Sequence, residues 1–413
     1  MVLIVVPSHG IRIIPSRILT LILAVRSGDI EKLAEPTLRL NTLPCRAIGK
    51  TQNRGIMALV EINFESVIIF FILLKELMRR HGNLWQEITS IKNICIAYEK
   101  AIRGKSKLVG VIKFKKAVRK NLLLIRESLL NKTFTTSKYH EKIVYEPKKR
   151  TIYVLPFSPD RIVQHALMNV IIPIWDKLFI DASYSCRTGK GIHIASNKTM
   201  EYVRRNKYVL KCDISKFYPS VDHEILFKII QKKIKCKDTL WLLKNIIDSF
   251  PGGKNIPIGN YTSQWFRNLY LNELDYYLKD KCGVKDYVRY CDDFCIFAND
   301  KVYLHRVAKR INKFINEKLL LKFSKCEIFP IKQGVDFLGY RHFNNYVLLR
   351  KSTTKRVKSR LEKLPQLYKD GKINKDQFRS SVMSTWGWLK HANTHNLLIA
   401  LKYQRLKRMV QNL

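Results

Sequence analysis

Residues 287–300 read YVRYCDDFCIFAND, and the pair Asp292–Asp293 at its centre decides how the rest of the chain is read. Tyr287, Val288 and Tyr290 before the pair, and Phe294, Ile296 and Phe297 after it, have the pattern of two short buried strands. Two neighbouring carboxylates repel one another between them. A hairpin turn accounts for the pair, because Asp tolerates the backbone angles that turns need. A divalent cation accounts for it as well, by removing the repulsion, but that reading requires a third carboxylate and something for the metal to act on.

Composition narrows the setting. The 413 residues are enough for two or three domains, and 46% hydrophobic content indicates a globular chain. Lys and Arg number 76 against 33 Asp and Glu, a formal charge of +43. Such an excess costs self-repulsion and points to a polyanionic partner, nucleic acid ahead of a membrane surface. Residues 1–77 hold 9 basic and 6 acidic side chains, net +3, so nearly all of the excess lies beyond them. The nine cysteines include no CxxC pair, and Cys291 with Cys295 lacks a matching Cys or His pair, which suggests reduced thiols in a cytoplasmic protein. The longest apolar run, SVIIFFILL at 66–74, is shorter than a membrane span and has charges around it. The start, MVLIVVPSHGIRIIP, lacks the preceding basic region and cleavage site of a signal peptide.

Along the chain, residues 1–77 show no sustained period, and Met57 and Met78 are internal candidate starts, so this segment is expected to be a dispensable extension. Residues 78–138 are expected to form basic amphipathic helices. Two strands around a Pro-Lys-Lys-Arg turn are expected in 139–158, then a helix with Asp160 as its N-cap. A basic glycine loop, SCRTGKGIH, leads through a helix to the strand YVLKCDIS. Further helices, a glycine-rich turn at PGGKNIPIG and one more helix precede the opening hairpin, and beyond 350 the pattern is helical and basic. Mixed strands and helices with antiparallel elements predict an α+β fold.

The third carboxylate is Asp213, which ends the apolar run of YVLKCDIS; taken alone it also reads as a helix cap. Phe217 and Tyr218 follow four and five residues later, and the YxDD of Tyr290–Asp293 comes downstream. This combination resembles the palm of nucleotide polymerases, specifically reverse transcriptases. The resemblance covers roughly residues 90–400 and implies a right-hand architecture, with fingers and palm over 139–345 and a helical thumb over 346–413. It implies a site at Asp213, Ile214, Asp292 and Asp293 for two Mg²⁺ ions, with Mn²⁺ as a substitute, that activate a primer 3′-hydroxyl and brace the departing pyrophosphate.

The resemblance extends to other positions. Arg150 with Lys148 or Lys149 would meet the triphosphate of a dNTP, and Arg187 would steady template and nucleotide. Tyr218 would act as a steric gate against a 2′-hydroxyl. Phe337, Leu338, Gly339 and Tyr340, the FLGY stretch, match the primer grip, and Lys322 or Lys325 would protonate pyrophosphate.

The stretch PIGNYTSQWFRNLYLNELD, residues 257–275, distinguishes among relatives. Most reverse transcriptases carry Pro-Gln-Gly and then Ser-Pro here, whereas this chain has Ile258, Gly259 and, after Ser263, Gln264. That pattern, with the ending WGWLKHANTHNLL, resembles reverse transcriptases of diversity-generating retroelements. The likeness implies error-prone copying of a template-repeat RNA into cDNA for mutagenic retrohoming, with a small basic accessory variability protein as partner. A group II intron or retron-type enzyme is the alternative, and a non-catalytic RNA-binding protein a remote one.

Overall fold

The computed structural model describes residues 2–6, 10–14, 80–145 and 149–411. The chain divides into two compact units, Met1–Gly82 with Gln231–Lys235, and Asn83–Ile230 with Cys236–Leu413. In the first, β1 (Val2–Val6) and β2 (Gly10–Ile14) pair antiparallel, Val2 opposite Ile14. The His81 amide donates to the Lys233 carbonyl at 2.7 Å. Most of the expected 1–77 extension lies outside the described residues.

The second unit begins with α1 (Trp85–Ile88), α2 (Ile91–Ile102), α3 (Val109–Lys115) and α4 (Val118–Leu130). Ser90 caps α2 by accepting from the Asn93 amide at 3.2 Å. Ile94, Ala97 and Ala101 recur at helical spacing and are buried, leaving the lysines outside. A hairpin follows, β3 (His140–Val144) with β4 (Arg150–Val154), Val144 opposite Arg150.

A π-helical turn over Phe157–Arg161 then enters α5 (Ile162–Asp176). Asp160 therefore does not cap this helix as the sequence suggested. It is buried, and its carboxylate accepts instead from the Ser137 amide at 2.9 Å, so a long-range partner replaced the local one. Beyond a loop lies α6 (Ile192–Arg205).

The centre is an antiparallel sheet of β5 (Tyr208–Ile214), β6 (Asp286–Tyr290), β7 (Asp293–Ala298) and β8 (Phe323–Pro330), in the order β6-β7-β5-β8. β5, β6 and β7 are largely buried and rich in Val, Ile, Phe and Tyr, whereas β8, at the sheet edge, is half-buried to exposed. On one face α11 (Lys301–Lys318) packs with Leu304, Val307, Ile311 and Ile315 buried. The other face joins Val209, Val288, Cys295 and Phe297 to Val203 of α6. Between β5 and β6 run α7 (Phe217–Ser220), α8 (His223–Gln231), α9 (Lys237–Asp248) and α10 (Tyr261–Tyr276).

After β8, β9 (Val335–Phe337), β10 (Tyr340–His342) and β11 (Val347–Leu349) form a small antiparallel sheet. The chain is then helical, through α12 (Lys351–Lys369), α13 (Lys375–Leu389), α14 (His395–Ala400) and α15 (Tyr403–Gln411). Leu361, Leu364, Phe378, Val382, Leu389, Tyr403 and Leu406 share its core. Among the described residues no helix is long and apolar enough to cross a membrane.

Candidate active site

Strand register brings the carboxylates together. Asp213, near the end of β5, is the direct cross-strand partner of Asp293, the first residue of β7. Like charges facing each other across a sheet are destabilising, so the pair marks a site. Asp292 sits in the two-residue turn between Tyr290 and Asp293, which are themselves paired. The turn is tight enough to need a positive φ at its first central residue, and Cys291 supplies it at 61°. A register shift between Asp213 and Ile214 kinks the pairing with β8. Ile214 itself points into the core, so its side chain offers no ligand.

The turn is held from beneath. Arg289 and Asp275 of α10 are both 0% exposed and form a two-pronged ion pair, with Arg289 Nε donating to Asp275 Oδ1 at 2.7 Å. Tyr287 donates its hydroxyl to the same oxygen at 2.7 Å. A third guanidinium nitrogen donates to the Cys291 carbonyl at 3.1 Å, which ties the strained turn to this buried pair.

Electrostatics at the carboxylates are unfavourable. Burial, with Asp213 and Asp292 nearby, pushes Asp293 up to about 7, although Lys211 opposes the rise from 3.9 Å. Asp293 Oδ1 is buried and has no hydrogen-bond partner. Burial and Asp213 also raise Asp292, against the pull of Arg267 and Arg150. Asp213 is steadied by the Ser324 hydroxyl, which donates to Oδ2 at 2.6 Å.

An orphaned carboxylate oxygen in an all-oxygen, like-charged cluster suits a hard divalent cation. Among the described residues no group of three Asp, Glu, His or Cys side chains is placed to hold a metal ion by itself. Magnesium does not require one, since it is commonly bound through one or two carboxylates and substrate phosphates while keeping several waters. The residues present therefore fit the ion.

Sequence comparison agrees with the geometry. Residues 141–342, which contain all three carboxylates, match the family model described as reverse transcriptase (RNA-dependent DNA polymerase). These residues form a reverse transcriptase domain. Over 248 residues the chain is 25% identical to Protein YkfC of Escherichia coli strain K12, covering 48% of this chain and 65% of that protein. It is 32% identical to the Retron Ec73 reverse transcriptase of Escherichia coli over 37% of this chain and 50% of that one. The Group II intron-encoded protein LtrA of Lactococcus lactis subsp. cremoris is 23% identical over 43% of this chain and 32% of that protein. The chain thus spans between 32% and 65% of the length of these relatives. The unit carrying the domain is α+β, with the four-stranded antiparallel sheet packed against helices and a helical stretch after β11.

Tyr218, which lies close enough to Asp292 to feel its charge, lines a cavity of about 270 Å³ together with Ile258, Gly259 and Gln264. Lys100, Lys105 and Arg161 also line it and make part of the lining cationic, three residues that sequence reasoning missed. His165 also lines it, stacked on Tyr261 with centroids 4.2 Å apart and held near 4 by burial and the surrounding cations. Gly259 adopts a φ of 128°, and an added Cβ would overlap the Tyr153 carbonyl of β4. The Tyr153 amide donates to the Ile258 carbonyl at 2.8 Å, so the β3–β4 hairpin docks directly on this loop.

Other expected residues lie in varied settings. Arg150 is exposed at the start of β4, close enough to influence Asp292, and Lys149 precedes it; Lys148 lies outside the described residues. Arg187 is turned inward, donating to Asp176 Oδ1 at 2.6 Å and to the carbonyls of Ile180 at 2.7 Å and Ser183 at 3.2 Å. Its guanidinium clamps its own loop and does not line the cavity.

In the FLGY stretch, Phe337 and Tyr340 are buried partners across a turn made by Leu338 and Gly339, at φ 60° and 83°. Trp388 of α13 covers Gly339 and stacks on Tyr340 with centroids 5.4 Å apart, joining the turn to the helices after β11. Lys325 pairs with Asp213 across β5 and β8, whereas Lys322 borders a separate cavity. Lys211 is legible in the sequence, since it lies two residues before Asp213 and so shares its strand face.

Proposed function

We propose that the chain is an RNA-directed DNA polymerase that extends a primer 3′-hydroxyl on an RNA template, using dNTPs. The observation that carries this reading is the register that sets Asp213 opposite Asp293, with Asp292 in the adjoining turn. Asp213, Asp292 and Asp293 would hold two Mg²⁺ ions, or Mn²⁺ in their place, which when bound supply charge stabilisation at the attacking and departing oxygens. Ser324 and Lys211 orient Asp213 and Asp293. Arg150 and the cavity-lining Lys100, Lys105 and Arg161 provide positive charge for phosphates. The net charge of +43 supports a nucleic-acid template. A double Asp292→Ala, Asp293→Ala variant should lose Mg²⁺-dependent primer extension; extension near the unsubstituted rate, with the fold intact by circular dichroism, would refute the assignment.

The finer reading is a diversity-generating retroelement enzyme that copies a template-repeat RNA with errors at adenines, aided by a small basic accessory variability protein. Ile258 supports it, because this apolar side chain lines the cavity where an amide would offer a hydrogen bond. One such contact changes discrimination by ~1–3 kcal/mol. Ile258→Gln should therefore lower misincorporation opposite adenine, measured by sequencing cDNA from an adenine-rich template, and an unchanged frequency would refute this role. The likeness to the Retron Ec73 reverse transcriptase favours a retron-type enzyme as the second reading. Accurate copying of adenines by the unsubstituted protein would decide for it.

A further inference from the structure

Arg267 of α10 is a buried cation without a carboxylate hydrogen-bonded to it. It is only 5% exposed. One terminal nitrogen donates to the Tyr218 hydroxyl at 2.7 Å, and the other to the Ser185 hydroxyl at 2.7 Å, with the Cys186 sulfur at 3.6 Å. Its Nε is buried and has no partner. Its hydrogen-bond acceptors are all neutral, although it lies close enough to pull on Asp292, and burying a guanidinium on neutral acceptors is costly. A role in packing alone therefore explains it poorly.

What surrounds Arg267 suggests another role. Tyr218 lines the cavity, and the Arg267 guanidinium carbon lies 5.6 Å from its ring centroid. Ser185, the second acceptor, contacts the sulfur of Cys291 at 3.1 Å, and Cys291 is the strained residue of the Asp292 turn. The adjacent Asn268 also donates to the Ser185 carbonyl, at 2.7 Å. One rigid, planar fork thus links the aromatic ring in the cavity to the turn bearing the carboxylates.

We infer that Arg267 is a positioning residue that sets the Tyr218 ring against the Asp292 turn, and through that ring selects deoxy- over ribonucleotides. The inference rests on the polymerase reading. A phenol held at its hydroxyl cannot swing away from a sugar beneath it, so a 2′-hydroxyl meets a fixed wall. Released from Arg267, the ring can yield to the extra oxygen. The residue acts through Tyr218 and need not touch the nucleotide.

The test compares kcat/KM for dNTP and rNTP in the full-length protein and in Arg267→Met, Arg267→Lys, Tyr218→Phe and the Met/Phe double variant. Arg267→Met should lower the preference for dNTP about tenfold, the scale of one charge-assisted hydrogen bond, mainly by lowering KM for rNTP. Tyr218→Phe keeps the ring but removes the acceptor, and should lower the preference similarly. The double variant should be no worse than either single one, and Arg267→Lys should recover part of the preference. An unchanged ratio in Arg267→Met, whatever its stability, overturns the inference while leaving the polymerase reading intact. Should Arg267→Met fail to fold, an unchanged ratio in Tyr218→Phe overturns it equally. No synthesis by the unsubstituted protein would remove the polymerase reading and the inference together.

Discussion

Replacing Asp293 with Asn should abolish synthesis and yet stabilise the metal-free protein. The Asp293 carboxyl lies near 7 in the folded chain against an ordinary 3.8, because it is buried beside Asp213 and Asp292. Between those values the folded state binds more protons than the unfolded one, so stability falls as pH rises. The stabilising share is present below 3.8 and lost as pH passes through about 7. The displacement sets a ceiling of ~4 kcal/mol at pH 8. Because 31% of the side chain is still exposed, solvent screening should reduce this to ~1–3 kcal/mol. Asn carries no charge to bury, so Asp293→Asn should exceed the unsubstituted protein by that margin in urea denaturation at pH 8 with chelator. Near pH 4.5 the gap should shrink to roughly a quarter of its size at pH 8. Added Mg²⁺ should stabilise the unsubstituted protein and have little effect on the variant. A variant less stable at pH 8, or an equal gap at both pH values, would refute the electrostatic account.

Three further outcomes follow from other parts of the structure. Asp275→Ala leaves Arg289 buried and unpaired beneath the turn, and should cost ~3–5 kcal/mol in urea denaturation. Gly259→Ala places a methyl group against the Tyr153 carbonyl at a φ of 128°, and should cost ~1–3 kcal/mol and speed hydrogen exchange at the Tyr153 amide. Affinity for single-stranded RNA should fall with salt, log K against log salt having a slope of about −0.7 per phosphate contacted. Deleting residues 1–77, which contribute net +3, should leave that slope nearly unchanged in fluorescence anisotropy titrations.

The strand–turn–strand of YVRYCDDFCIFAND and the apolar run ending at Asp213 are written in local residue order, because strand faces alternate every second residue and turns restrict residue type. The helical tail from Lys351 is legible for the same reason, through its apolar spacing. Register is not local. That Asp213 faces Asp293, that Ser324 reaches Asp213 from β8, and that Arg289 finds Asp275 all depend on how separate elements settle together.

The cavity depends on this settling most of all, since Lys100 and Lys105 meet Ile258 only after α2 packs on α5. Basic residues illustrate the limit. Arg187 turns inward to close its own loop, while Arg267, unremarkable in sequence, is buried under Tyr218. Sequence alone determined which residue types were present and which could share a strand or helix face. The tertiary structure decided which charges became partners, because desolvation and hydrogen-bond geometry act only once the chain has closed around them.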